Sequence, residues 1–450
     1  MNVNLKSQTI CFYCVSKKNL EENSNSKITK HGKLSWIVFL FTLFVVLISL
    51  ISFVFPALLI SEMGLGNTIE ETGIEGTYKI NPYEVGHWAA PLFIVNIIVF
   101  AVFVLYRWNK LPNSIKHALE SLFSFEISKK TTIVVFLIIM VGYVAFSSME
   151  LIEDETWPDW DRVEIRIEGE KGIGQFSCGL LMTDPNCTGW PFTHPTVSSG
   201  FEPHVRYFFL KTSDMIFDNY KIFPFFASIG LLIVTYLFTT LITGKRFAGI
   251  ISLVIMIQSN LFLTFDTSQT YSNFWALFYV LSLYLAVRFW MVSPAIYLLS
   301  IFSKVLTAAF LPMSIFFVLS SDISKKKKAF VILVSTIIIA GGGIVFATQN
   351  LAETEGLGWN SDDFWTGLSS FANQIRHDGL IILFVLPLVF GLFMVSKRSR
   401  YANSIMVMIA GMLVIVPLIS GLTEITNQPY RFVPLIFFFA IGVGTLLSKR

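Results

Sequence analysis

Six carboxylates fall within twelve residues: Glu150, Glu153, Asp154, Glu155, Asp159 and Asp161. Carboxylates at this density repel one another, so the stretch is solvated, binds a cation, or holds a base of raised pKa. Trp157 and Trp160 are interleaved with them, and flat aromatic faces beside carboxylates suit sugar rings. The cations with chemical interest are few. Lys304 sits in Phe302-Ser303-Lys304-Val305-Leu306 between two apolar runs, and Arg431 in Pro429-Tyr430-Arg431-Phe432 opens the last one. Arg376 and His377 open another. A cation at a membrane boundary carries a desolvation penalty. It either snorkels to ordinary headgroups or meets a specific counter-ion, for which a lipid-linked phosphate is well suited.

The elements that must position these groups are transmembrane helices. Of 450 residues, 54% are hydrophobic and only 14% charged, with 44 Phe and a mean hydropathy of +0.65. A soluble domain carries roughly 25% charged residues. Apolar runs of about 17 to 22 residues recur between charged punctuation, each long enough for a hydrocarbon core of about 30 Å. The runs are continuous and do not alternate, which excludes a barrel. A net charge of +3 with no separate basic domain argues against nucleic-acid binding. No Walker, Rossmann or HExxH signature is present.

The expected fold class is therefore an all-α polytopic membrane protein of about twelve transmembrane helices. They are placed near 34–60, 88–108, 131–147, 222–243, 247–263, 271–289, 293–303, 305–319, 329–347, 380–395, 404–420 and 432–447. Alternating sides put 23 Lys and Arg on one face and 10 on the other, while the acidic residues split 5 against 25. By the positive-inside rule both termini are cytoplasmic in a cell membrane and the acidic loops external. The first run follows a polar tail at 1–33 and reads as a signal anchor.

The largest external loop runs from 148 to 221 and must fold against the membrane. Its second half, from Pro203 to Asp218, reads as an amphipathic interfacial helix. Cys178 and Cys187 share this loop, where oxidising conditions permit a disulfide; Asn186-Cys187-Thr188 is a sequon on the same side. A smaller external loop at 349–377 carries Trp359 and Trp365 as interfacial anchors. Cys11 and Cys14 form a lone CxxC in the tail, with only His31 nearby as a further ligand, short of the four a structural zinc needs. Gly341-Gly342-Gly343 inside an apolar run suits close helix packing.

The order of these features resembles the GT-C superfamily of polyprenyl-phosphate-sugar glycosyltransferases, in its mannosyltransferase- and arabinosyltransferase-like branch. Glu153-Asp154-Glu155 stands where that family has an acidic motif in its first external loop. Pro203-His204-Val205-Arg206-Tyr207-Phe208-Phe209-Leu210 resembles its "PPLYYLLL" segment, and Gly244-Lys245-Arg246-Phe247-Ala248-Gly249 its short cytoplasmic turn. Phe265-Asp266-Thr267-Ser268-Gln269-Thr270-Tyr271 stands in place of "YSR…RPY". Ser303-Lys304-Val305-Leu306-Thr307-Ala308 resembles "SKPTAL", and Pro429-Tyr430-Arg431-Phe432-Val433-Pro434 resembles "PRYLLP". The match covers about 131–450, leaving two additional N-terminal helices within 34–130. It departs from the pattern at Trp157, where Tyr or His is usual, and in lacking an Arg near Asp266.

The resemblance implies sugar transfer at the outer membrane face, from a polyprenyl-phosphate-linked donor to an acceptor protein, lipid or glycan, with polyprenyl phosphate leaving. It implies a base in the acidic motif: Asp154 first, then Glu155, then Glu153. The same carboxylates, Asp154 and Glu155, would hold a divalent cation such as Mg or Mn if one is used. Lys304 and Arg431 become phosphate ligands, with His204 and Arg206 as further candidates and Trp157 as a sugar platform. Two other readings stand beside this one: a non-catalytic scaffold of the same fold, and a transporter of a lipid-linked substrate. A transporter would show internal repeats and midplane charges; here there is no repeat and the charges gather at one boundary.

Overall fold

The computed structural model describes residues 32–54, 94, 97–102, 104–106, 108, 110–155, 160, 163–164, 167, 204–348, 359–361, 364, 378–423 and 429–448. Among the described residues the chain is all helical. In chain order the helices are α1 (Lys33–Val54), α2 (Asn113–Ser124), α3 (Lys129–Ser147), α4 (His204–Phe217), α5 (Ile222–Thr243), α6 (Arg246–Gln258) and α7 (Asn260–Thr264). They continue as α8 (Phe274–Arg288), α9 (Ser293–Ser303), α10 (Leu311–Ser320), α11 (Lys325–Thr348), α12 (Gly379–Val395), α13 (Arg400–Thr423) and α14 (Val433–Leu446).

Among the described residues four spans are long and apolar enough to cross a membrane: Lys33–Leu50, Lys129–Leu151, Ile222–Thr243 and Arg400–Ile419. Shorter apolar helices, including Arg246–Gln258, Phe274–Arg288 and Ser293–Ser303, pack among them. The protein is a helical membrane protein on this ground. One face of α3 shows why: Val134, Leu137, Ile138 and Val141 are more than half exposed, an arrangement that only a lipid environment favours.

The helix at the centre is α14. Its residues Val433 to Ile441 are all buried, because α5, α6, α12 and α13 surround it. A helix apolar all round belongs in such a place. Helix α1 packs along α12 and α13, with Phe39 stacked on Phe393 at 4.2 Å.

Three features depart from the expected segments. The run at 247–263 is broken by Ser259, which caps α7 by accepting from the Phe262 amide at 3.1 Å and donates to Asp378. The run at 305–319 begins as a 3-10 turn over Val305–Phe310 before α10. Helix α2 was not anticipated; it has no buried residue and is tied to the α5–α6 turn by Lys245, whose amine donates to the Phe123 carbonyl. The expected crossing near 88–108 lies largely outside the described residues, as do Trp157, Trp365, Arg376, His377, the CxxC pair, the sequon and Cys178 with Cys187. A helix expected within 203–218 is present as α4.

Candidate anion-binding site

The acidic loop is anchored from below before it can do anything else. A 3-10 turn over Ser148–Leu151 ends α3. Asn219 donates to the Leu151 carbonyl at 2.9 Å, and the buried Lys221 amine donates to the carbonyls of Glu150 (3.2 Å) and Asp154 (3.5 Å). Asp218, at φ 53°, makes the left-handed step between α4 and α5 that puts Asn219 and Lys221 there, a conformation Asp tolerates better than most residues.

The loop between α7 and α8 is polar yet almost wholly buried, with Asp266, Thr267, Ser268, Gln269, Thr270, Ser272 and Asn273 each under 8% exposed. Irregular backbone at such a depth needs internal partners, and the acidic motif supplies several. Glu150 accepts from the Thr267 hydroxyl at 2.9 Å. Glu155 accepts from the amides of Gln269 (2.9 Å) and Thr270 (3.3 Å) and from the Ser268 hydroxyl (3.3 Å). Asp266 accepts from Ser147 at 2.7 Å; the Tyr143 hydroxyl lies beside it but outside hydrogen-bond geometry. Burial pushes the Asp266 carboxyl up to about 7, and the charge of Glu150 adds to the rise against the opposing hydrogen bonds.

Next to this loop the cations gather. Lys304 follows α9 in an extended conformation, and its position is fixed because the Thr307 hydroxyl donates back to its carbonyl at 2.9 Å. Its amine donates to the Tyr430 hydroxyl and lies 3.7 Å from the Tyr430 ring centroid, with Trp275 at 5.5 Å. Tyr430 stacks on Tyr271 at 4.3 Å and 15°, so the α7–α8 loop forms one wall. Burial holds the Lys304 amine below the usual lysine range; Tyr430 opposes the shift, and the positive charges of Arg431 and Arg206 reinforce it. Arg431 adjoins Tyr430 in the 3-10 turn that precedes α14, and α4, which carries Arg206, packs on α9 so that both charges act on Lys304.

Among the described residues none of these three cations has a carboxylate within ion-pair distance. Ion pairs elsewhere include Lys211–Asp214 and Arg400–Asp322. Arg431 is only 6% exposed, yet among the described residues its Nε and Nη1 have no hydrogen-bond partner, and neither do the buried Nε and Nη2 of Arg206. Each such donor costs about 1–3 kcal/mol, more when charged. An oxyanion between the three would satisfy them and match the guanidinium forks.

The sequence-derived candidates therefore separate. Lys304, Arg431 and Arg206 come together. Glu155 is half-buried and holds the α7–α8 loop, whereas Glu153 and Asp154 are exposed, and the side chain of Asp154 has no hydrogen-bond or ion-pair partner among the described residues. His204 opens α4, two residues before Arg206. Among the described residues no three His, Cys, Asp or Glu side chains gather, and Glu155 Oε2 takes three donors. Sequence reasoning missed Tyr430, Tyr271 and Asp266. Tyr430 adjoins Arg431 in the same motif, and Asp266 is a carboxylate between two apolar runs, so both signals were present.

Comparison with known proteins finds no matching family model, no matching curated protein and no matching solved structure.

Proposed function

We propose that this protein is a membrane glycosyltransferase that moves a sugar from a polyprenyl-phosphate-linked donor to an acceptor at the outer face of a cell membrane. The observation that carries the reading is the grouping of Arg206, Lys304 and Arg431, with guanidinium donors unpartnered among the described residues, beside a loop built on carboxylates. The proposal includes the GT-C-like arrangement of about twelve crossings over 131–450 and the N-terminal additions, with both termini cytoplasmic.

In this reading the acceptor oxygen loses its proton to Asp154 as it bonds to the anomeric carbon. The bond between that carbon and the phosphate oxygen breaks, and the electron pair leaves on the lipid phosphate. Lys304, Arg431 and Arg206 hold the phosphate and stabilise the charge it gains, which in a water-poor site is worth more than in bulk solvent. Asp154 suits the base role because its carboxylate is exposed and uncommitted.

The test is transfer of radiolabelled sugar from a panel of polyprenyl-phosphate donors in membranes. Asp154→Asn is expected to lower kcat about 10²- to 10⁴-fold, and Arg431→Ala to raise KM for the donor. Absence of transfer from every donor in the panel by the native chain would overturn the reading.

A further inference from the structure

Glu155 belongs to the acidic motif, yet its carboxylate is already spent. Its Oε2 accepts from two consecutive backbone amides, Gln269 and Thr270, and from the Ser268 hydroxyl. Ser268 Oγ in turn accepts from the Tyr271 amide at 3.0 Å, closing a turn whose geometry fixes the direction of the Tyr271 side chain. The Tyr271 ring lies flat against Tyr430 at 4.3 Å. Tyr430 meets Lys304 twice, through its hydroxyl and through its ring face. An unbroken series of contacts thus leads from the first external loop to the ammonium of the anion site.

The geometry points to Glu155 as a positioning residue: through the 268–271 turn and the Tyr271–Tyr430 stack, it sets where Lys304 sits and so tunes affinity for the phosphate group. This deepens the proposed function and rests on reading Arg206, Lys304 and Arg431 as the phosphate site. To accept a proton on Oε2, Glu155 would have to surrender these three donors, so only Oε1 stays open to a proton.

Electrostatics and positioning predict opposite signs, which makes the idea testable. Deleting a negative charge near an anion site should by Coulomb's law tighten anion binding. Deleting the support of Lys304 should weaken it. Gln separates the two, since its amide oxygen can accept the same three bonds without charge or basicity.

The experiment uses the full-length chain in detergent, with farnesyl phosphate as the binding probe. A second readout, independent of any donor, is modification of Lys304 by an amine-reactive reagent, followed by mass spectrometry. Glu155→Ala is expected to weaken binding about tenfold and to raise the rate of Lys304 modification. Glu155→Gln should stay within about twofold of the native chain on both readouts, because its hydrogen bonds persist. Tyr271→Leu, which breaks the series at its stacked joint, should reproduce Glu155→Ala. Where Glu155→Ala does not accumulate as folded protein, Ser268→Ala and Tyr271→Leu carry the same two expectations.

The inference is overturned if Glu155→Ala binds as tightly as the native chain, or more so, with Lys304 modification unchanged. It is overturned equally if Glu155→Gln is as impaired as Glu155→Ala. Should the native chain itself fail to bind farnesyl phosphate while Lys304 modification follows the expected order, the phosphate reading falls and the positioning role of Glu155 stands.

Discussion

Asp266 shows how one residue can tie stability to pH. Its carboxyl is held at about 7 by burial, against an ordinary value of 3.8. The folded state therefore favours the protonated form. The stability this contributes is fully present below about pH 4 and is lost as pH rises through about 7. A shift of this size corresponds to a few kcal/mol at most. Thermal unfolding of Asp266→Asn in detergent should vary less between pH 5 and 8 than that of the native chain, with the variant the more stable at pH 8. If the two pH profiles run parallel, burial does not hold the carboxyl as described. Arg431 gives a second prediction at this scale. Lysine keeps the charge but loses the planar fork, so Arg431→Lys should weaken farnesyl phosphate binding about tenfold, which titration calorimetry would measure.

At the scale of elements, the molecule depends on helices that stop early and helices that approach closely. Ser259 does two jobs in one place: it caps α7 and donates to Asp378, which itself caps α12 by accepting from the Ile381 amide at 3.3 Å. Ser259→Ala removes a cap and leaves a buried carboxylate short of a donor, for an expected loss of about 2–4 kcal/mol. Unfolding in denaturant or a thermal shift would show it. Helix α14 meets α5 and α6 at Gly444, where an added Cβ would lie 2.4 Å from both Ser252 Oγ and Thr239 Cγ2 and 3.1 Å from the Ala248 carbonyl oxygen. Gly444→Ala should cost about 1–3 kcal/mol, whereas Gly142→Ala, with open space around its Cβ position, should be tolerated. Equal melting temperatures for these two variants would contradict the close packing.

For the whole molecule, the charge asymmetry of the loops and the convergence of helix ends carry the same message. The ends of α3, α7 and α9 and the starts of α5, α8 and α14 meet where the acidic loop and the anion site lie. The opposite ends carry Lys245 and Arg246, Arg288, Lys325 to Lys328, and Lys397 to Arg400. Cysteines introduced at Asp154 and at Lys326 should therefore differ in intact cells. A membrane-impermeant thiol reagent should modify the first and not the second. The reverse pattern would invert the proposed topology.

Much of this was legible in sequence because the governing physics is local or additive. Long apolar runs specify helices in a bilayer whatever their neighbours, and so the bounds of Ile222–Thr243 and Ser293–Ser303 are as expected. Charge placement fixes the expected sides of the membrane by simple counting. Scarce basic residues at run ends marked Lys304 and Arg431 before any contact was known. Only the tertiary structure decided which carboxylates are committed and which are uncommitted. Glu155 and Asp154 are adjacent and chemically alike, yet one is locked onto the amides of a loop more than a hundred residues away and the other is exposed. The same holds for Tyr430 and Tyr271, whose stack joins two loops distant in sequence. Hydrophobicity and charge are properties of residues, but a hydrogen bond or a ring stack is a property of a pair, and the pair exists only once the helices have packed.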